Sequence, residues 1–282
     1  MLKSIKEAFT ELLIGGVFRY PFYFETDRGE WCKNYSPPLF KYPINAFLVS
    51  FNIFYNLWMW RKYPENPVFK TEPKENRYII EKIFGYTCSI IWLLQIVYKI
   101  NSSSVIYITM PCHLTMILIA IISFSPKKLY WVYNMLLSMM FGCTLALIFP
   151  GTTSTLIGPY EVELFYIEHL IPFIVVPVYY ILFFSDLKWW DPMVHQKGYC
   201  LFSIYQRAVC FPLSELTWVN INSALCGHVD DPFWLILGYT HNFFADIYIN
   251  FGCYLARLFS VAPGALLKIT INLFSKKNKK LD

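Results

Sequence analysis

Charge is what this sequence has least of. Only 15% of its 282 residues are Asp, Glu, Lys or Arg, against about 25% in soluble domains. With 56% hydrophobic residues beside that shortage, the chain cannot be disordered, because it has ample apolar surface to bury. A net charge of +5 is too slight for a nucleic-acid binder, which needs a concentrated basic face. Eight cysteines are too few for a disulfide-built scaffold, and no CxxC or HxxxH spacing marks a metal site. Also missing are the ten-residue alternating strands of an outer-membrane barrel, repeats of 20–50 residues and the two-fold hydropathy symmetry of transporters. The apolar stretch Leu12 to Phe18 is too short for a signal peptide, and Glu7 and Glu11 sit in the segment before it. Met1 to Val17 reads instead as a short interfacial helix.

Long apolar runs, by contrast, are plentiful. A membrane span needs about 20 mostly apolar residues, and seven windows qualify: Tyr42–Trp60, Tyr78–Tyr98, Val105–Phe124, Leu129–Phe149, Glu161–Phe184, Tyr199–Val219 and Leu237–Phe259. The sixth is the weakest, being interrupted by Gln206, Arg207 and Glu215. Trp and Tyr gather at the window ends (Trp58, Trp60, Tyr130, Trp131, Trp189, Trp190), as interfacial belts do. Helices satisfy every backbone group inside lipid over such lengths. The expected fold class is therefore all-α, a polytopic membrane helix bundle of about seven transmembrane helices.

Basic residues orient the bundle, since loops rich in Lys and Arg stay cytoplasmic. The side holding the first, third and fifth loops and the C-terminus carries fifteen, including Lys276, Lys277, Lys279 and Lys280, and the other side seven. The N-terminus is expected in the lumen and the C-terminus in the cytoplasm. Both N-x-S/T sequons, at Asn34 and Asn101, fall on the lumenal side and are glycosylation candidates. The expected organisation is a lumenal segment 1–41, a seven-helix domain 42–260 and a basic tail 261–282.

Reactive groups within spans are functional by default. Counted from the lumenal ends of their windows, Cys112 lies about 10 Å deep and His169 about 12 Å, at 1.5 Å per residue. A thiol and an imidazole at one depth can meet. A buried thiol is inert unless a base takes its proton during attack, which a neutral histidine can do. Pro111 removes a backbone donor just before the thiol. The bland alternative is that Cys112 is a small buried hydrophobe and His169 a histidine satisfied by some other partner. Thr115 shares the face of Cys112. His113 faces another way and reads as packing or as a supporting donor. Asn220, Asn222 and His241 approach the same level and are candidate substrate-contacting or supporting positions. Glu168 points about 100° from His169 and is expected to pair elsewhere. A zinc site from Cys112, His113, His169 and His241 is the weaker reading, so no metal and no cofactor are expected. The segment Phe149–Tyr160, with two Gly, two Pro and four hydroxyl residues, is a lumenal turn or a lid. Cys32 and Cys226 share the lumenal side, where an oxidising compartment would let them bridge.

Met110-Pro-Cys-His-Leu-Thr-Met116 resembles the proline-cysteine-histidine signature of the transmembrane protein 164 family. Val219-Asn-Ile-Asn-Ser-Ala-Leu-Cys226 with Asp231-Pro-Phe233, Gly15-Gly16-Val17 and Glu168-His169 are similar to that family's other blocks. The resemblance covers about residues 10 to 260. It implies an endoplasmic reticulum membrane acyltransferase that moves a polyunsaturated, arachidonoyl-type chain onto a lyso-ether phospholipid. It implies Cys112 as the acyl-carrying nucleophile and His169 as its partner. The implied partners are phospholipid, lysophospholipid and the bilayer, with no nucleic acid. The rivals are a seven-span receptor and a lipid transporter without catalysis. The receptor lacks its acidic-Arg-Tyr triad after Phe124 and any Asn-Pro-x-x-Tyr in the seventh window.

Overall fold

The computed structural model describes residues 2–19, 28–63, 75–124, 136–148, 160–183, 191–227 and 232–278. Among the described residues no strand occurs, only an isolated antiparallel bridge between Arg28 and Val219. The helices, in chain order, are α1 (Leu2–Thr10), α2 (Gly16–Arg19), α3 (Gly29–Asn34), α4 (Pro38–Lys62), α5 (Glu75–Asn101) and α6 (Pro111–Phe124). Then follow α7 (Met140–Ile148), α8 (Glu161–Leu170), α9 (Val176–Phe183), α10 (Pro192–Tyr205), α11 (Phe211–Thr217), α12 (Pro232–Leu237) and α13 (His241–Asn278).

Three helical stretches among the described residues are long and apolar enough to cross a membrane: 79–101, 161–179 and 243–271. They carry large exposed apolar side chains such as Ile83, Ile90, Phe251 and Phe259, which suit a hydrocarbon solvent and not water. These stretches correspond to the second, fifth and seventh windows.

The other four windows differ in instructive ways. The first lies in α4, a helix whose Asn52 and Asn56 turn inward to Ser203 Oγ (3.1 Å) and the Lys197 carbonyl (3.0 Å) on α10. The third is not one helix. Residues Val105–Thr109 form a 3-10 turn, Met110 is extended (φ −64°, ψ 144°), and α6 starts at Pro111. The residue before a proline avoids the helical region, and proline suits the first helical position, where its missing N–H is not needed. Cys112 therefore sits in the first turn of a helix and not seven residues into one. Of the fourth window, residues 129–135 lie outside the described residues. The sixth is broken by a π-helical turn at Gln206–Cys210 and closes at Trp218, a left-handed residue.

Two cores organise the packing. The larger joins Met116, Ile119, Leu136, Met140, Val176 and Tyr199 from several of the helices. The smaller joins Val17, Ile106, Tyr107, Phe211, Val219, Ile221 and Leu225, and the Cys32–Cys226 disulfide closes it. The bridge is the one that the sequence allowed between two cysteines expected on the same side of the membrane. At Gly16 the backbone comes so close that a Cβ would lie 1.7 Å from the Ser102 carbonyl oxygen. The Gly16 N–H donates to the Ser103 carbonyl at 2.8 Å. That contact fixes the N-terminal helices to the turn that leads into Cys112.

Candidate functional site

α5, α6, α7 and α8 enclose a cavity of about 250 Å³. The lining comprises Gln95 and Lys99 from α5, Pro111, Cys112, His113 and Thr115 from the first turns of α6, and Gly142, Cys143 and Ala146 from one face of α7. From α8 come Glu161, Phe165, Glu168 and His169. These four positions correspond to i, i+4, i+7 and i+8, a single face. The 100° between Glu168 and His169 is about the width of an apolar helix stripe. Both side chains therefore reach the same cavity, and the expectation that Glu168 turns away is corrected.

At the centre, the Cys112 sulfur, a His113 ring nitrogen and a Glu168 oxygen all lie within 4.8 Å of one another. His113 Nδ1 lies 2.8 Å from Glu168 Oε1, a contact that is an ion pair when the imidazole is protonated. Gln95 Nε2 donates to the second oxygen, Oε2, at 2.7 Å. A carboxylate with only 1% of its residue exposed is tenable only with such partners. His113, expected as packing or as a supporting donor, is thus part of the polar centre.

His169 lines the same cavity, and its Nδ1 donates to the Phe165 carbonyl at 2.6 Å. A carbonyl only accepts, so the bonded nitrogen carries the hydrogen. In the neutral ring Nε2 then holds the lone pair. Thr115 Oγ1 donates to the Cys112 carbonyl at 2.5 Å, fastening the first turn of α6. Amides in a first helical turn have no intrahelical acceptor. Such amides also suit a developing oxyanion.

Residues 34–251 match the model of the TMEM164 family. The chain belongs to the TMEM164 family. The match spans every residue of the cavity's polar centre, from Gln95 to His169, and extends well beyond it. No solved structure matches the chain.

Two residues expected at the level of Cys112 and His169 lie elsewhere. Asn220 is a loop brace, donating to the Cys226 carbonyl at 3.0 Å and accepting from the Leu225 N–H at 2.8 Å. His241 Nε2 meets the Tyr248 hydroxyl at 2.5 Å and is not among the lining residues. That separation also dissolves the four-ligand zinc set. Among the described residues, the donors gathered closely enough for a cation are Cys112, His113 and Glu168. Asn222 does line the cavity, in a left-handed conformation (φ 50°), its amide donating to Gln206 Oε1 at 2.8 Å. Asn34 is exposed on α3, and Asn101 is exposed as the last residue of α5. The lid segment lies outside the described residues, except Tyr160.

Sequence reasoning passed over Lys99 and Glu161, which pair inside the cavity at 3.1 Å. The signal was present: Lys99 stands four residues after Gln95, and Glu161 seven before Glu168.

Proposed function

We propose that this chain is an endoplasmic reticulum acyltransferase. It takes a polyunsaturated, arachidonoyl-type chain from a phospholipid onto Cys112 and passes it to a lyso-ether phospholipid. The observation that carries the reading is a thiol in a buried polar cluster, among apolar helices, with a histidine of defined tautomer on the same cavity. Seven spans, with a lumenal N-terminus and a cytoplasmic C-terminus, complete the picture. A glycan on Asn101 is the check on that orientation.

In the first half-reaction His169 Nε2 takes the thiol proton as sulfur attacks the ester carbonyl carbon. The C–O bond breaks, the lysolipid oxygen takes the proton from the imidazolium, and a thioester remains. In the second half-reaction the acceptor hydroxyl gives its proton to His169 and attacks the thioester. The C–S bond breaks, and the departing sulfur recovers the proton. His113, held 2.8 Å from Glu168, places a polar ring beside the sulfur. The apolar part of the lining, Met110, Met139, Ala146 and Phe165, limits access of water to the thioester.

The test is covalent labelling. Purified protein incubated with acyl-labelled phosphatidylcholine should acquire a hydroxylamine-sensitive label, and Cys112→Ala should not. Equal labelling of that variant overturns the nucleophile. Release of free fatty acid without transfer to a lyso-ether acceptor would make the chain a hydrolase.

A further inference from the structure

The turn that leads into Cys112 is held by a tyrosine from another helix. In an unbroken helix the Thr109 carbonyl would accept from the His113 N–H, four residues on. Here Met110 is extended, and the helical bonds resume one residue later, with the Leu114 N–H donating to the Met110 carbonyl at 3.1 Å. The Thr109 carbonyl accepts instead from the Tyr205 hydroxyl at 2.5 Å and from the Cys210 thiol, with 3.9 Å between sulfur and oxygen. Tyr205 thus occupies the place of the His113 amide.

Tyr205 and Cys210 are five residues apart. On an α-helix they would point about 140° from one another. The π-helical turn Gln206–Cys210, closed by the Phe211 N–H on the Gln206 carbonyl, brings both onto one acceptor. The same turn holds a second edge of the cavity. Gln206 Nε2 donates to the Asn222 carbonyl and Asn222 Nδ2 to Gln206 Oε1, both at 2.8 Å, and Asn222 lines the cavity. Such π turns are rare and gather at functional sites, and the acyl-transfer steps assign this one no task.

We propose that Tyr205 is a positioning residue for acyl transfer. By holding the Thr109 carbonyl it keeps the helix open before Pro111 and leaves the His113 N–H available to bind the oxyanion. As sulfur attacks the ester carbon, the C–S bond forms and the carbonyl π pair moves to oxygen. The N–H donates to that oxygen. When the C–O bond to the lysolipid breaks, the pair returns and the C=O bond is restored. Without the tyrosine hydroxyl, the Thr109 carbonyl turns to its helical donor, the His113 N–H. The inference rests on the acyl-transfer reading and adds the residue that keeps an oxyanion donor open.

The experiment compares two reagents on Cys112 of the full chain in detergent, each rate read by mass mapping of the Cys112 peptide. p-Nitrophenyl octanoate acylates the thiol through an oxyanion. Iodoacetamide alkylates it by displacing iodide and forms none. In Tyr205→Phe acylation should fall about 100-fold, the lower end of what one oxyanion donor supplies, while alkylation changes by less than about twofold. A thiol merely displaced would lose both rates together, and that result overturns the inference, as does an unchanged acylation rate. Should Tyr205→Phe not fold, Pro111→Ala lets Met110 become helical and returns the Thr109 carbonyl to His113. It should then show the same split, and its absence overturns the inference. A wild-type chain that iodoacetamide alkylates and the ester never acylates overturns the acyl-transfer reading and the inference with it. An acylated wild type with no split in Tyr205→Phe overturns the inference alone.

Discussion

His113 Nδ1 stands 2.8 Å from Glu168 Oε1, joining the first turn of α6 to α8 directly beside Cys112. The contact links residues 55 positions apart through side chains that are both buried. Its two members flank the residues assigned to the chemistry: His113 follows Cys112, and Glu168 precedes His169. One side-chain contact thus ties together the two helices that carry the proposed nucleophile and base.

Removing one partner of that pair is costly. Glu168→Ala should lose about 3–5 kcal/mol of stability, because His113 and Gln95 lose their buried acceptor. Glu168→Gln keeps hydrogen-bonding capacity and should fold, with thioester formation slowed by roughly 10–100-fold if charge beside the sulfur matters to the transition state. Thermal melts and single-turnover labelling separate the two effects. A Glu168→Gln variant with wild-type rate would reduce the pair to a structural tie.

The two histidines should differ in kind. His169→Ala removes the proton acceptor and should slow both half-reactions by about 10²–10⁴-fold, the usual contribution of general base catalysis. His113→Asn keeps a donor near Glu168 and should slow them less. Rapid-quench measurement of acylation and of transfer, each in isolation, tests this. A larger loss in His113→Asn than in His169→Ala would exchange the roles.

Cys112, His113 and Glu168 have the donor types that bind zinc. Sulfur held as a ligand cannot also attack an ester. Micromolar zinc should therefore inhibit label transfer, reversibly on addition of a chelator, and Glu168→Gln should weaken that inhibition by about tenfold or more. Cobalt added in place of zinc should give a thiolate charge-transfer band that Cys112→Ala lacks. Inhibition of equal strength in Glu168→Gln would place the metal elsewhere.

The Cys32–Cys226 bridge closes 194 residues of sequence. Cys32→Ala with Cys226→Ala should cost about 2–5 kcal/mol. The loss should be concentrated in the loop 219–226, which carries the cavity residue Asn222. Hydrogen exchange by mass spectrometry should show faster exchange there, with α5 and α13 unchanged. Uniform exchange across the chain would detach the bridge from the cavity.

Much of the site was legible along the chain, because the α8 face repeats at i, i+4, i+7 and i+8, and because Pro111-Cys112-His113 stands out in an apolar run. Glu168 was misplaced for a definite reason: angular separation on an isolated helix says nothing of how wide a cavity is. The 3-10 break before Pro111 was hidden for another reason. Hydropathy records how apolar a residue is and not whether its backbone continues a helix.

Composition and periodicity by themselves determined that the chain is helical and membrane-embedded, since few charges and long apolar runs leave lipid as the solvent and helices as its backbone solution. Equal depth in their windows made Cys112 and His169 candidates among eight cysteines and five histidines, and the family resemblance made them the favoured pair. Only the tertiary structure decided which polar groups meet. Contacts between α5, α6 and α8 join positions far apart in sequence, and the burial that makes Gln95, His113 and Glu168 bind one another exists only once those helices have packed. The same packing sends Asn220 and His241 elsewhere and brings Lys99 onto Glu161.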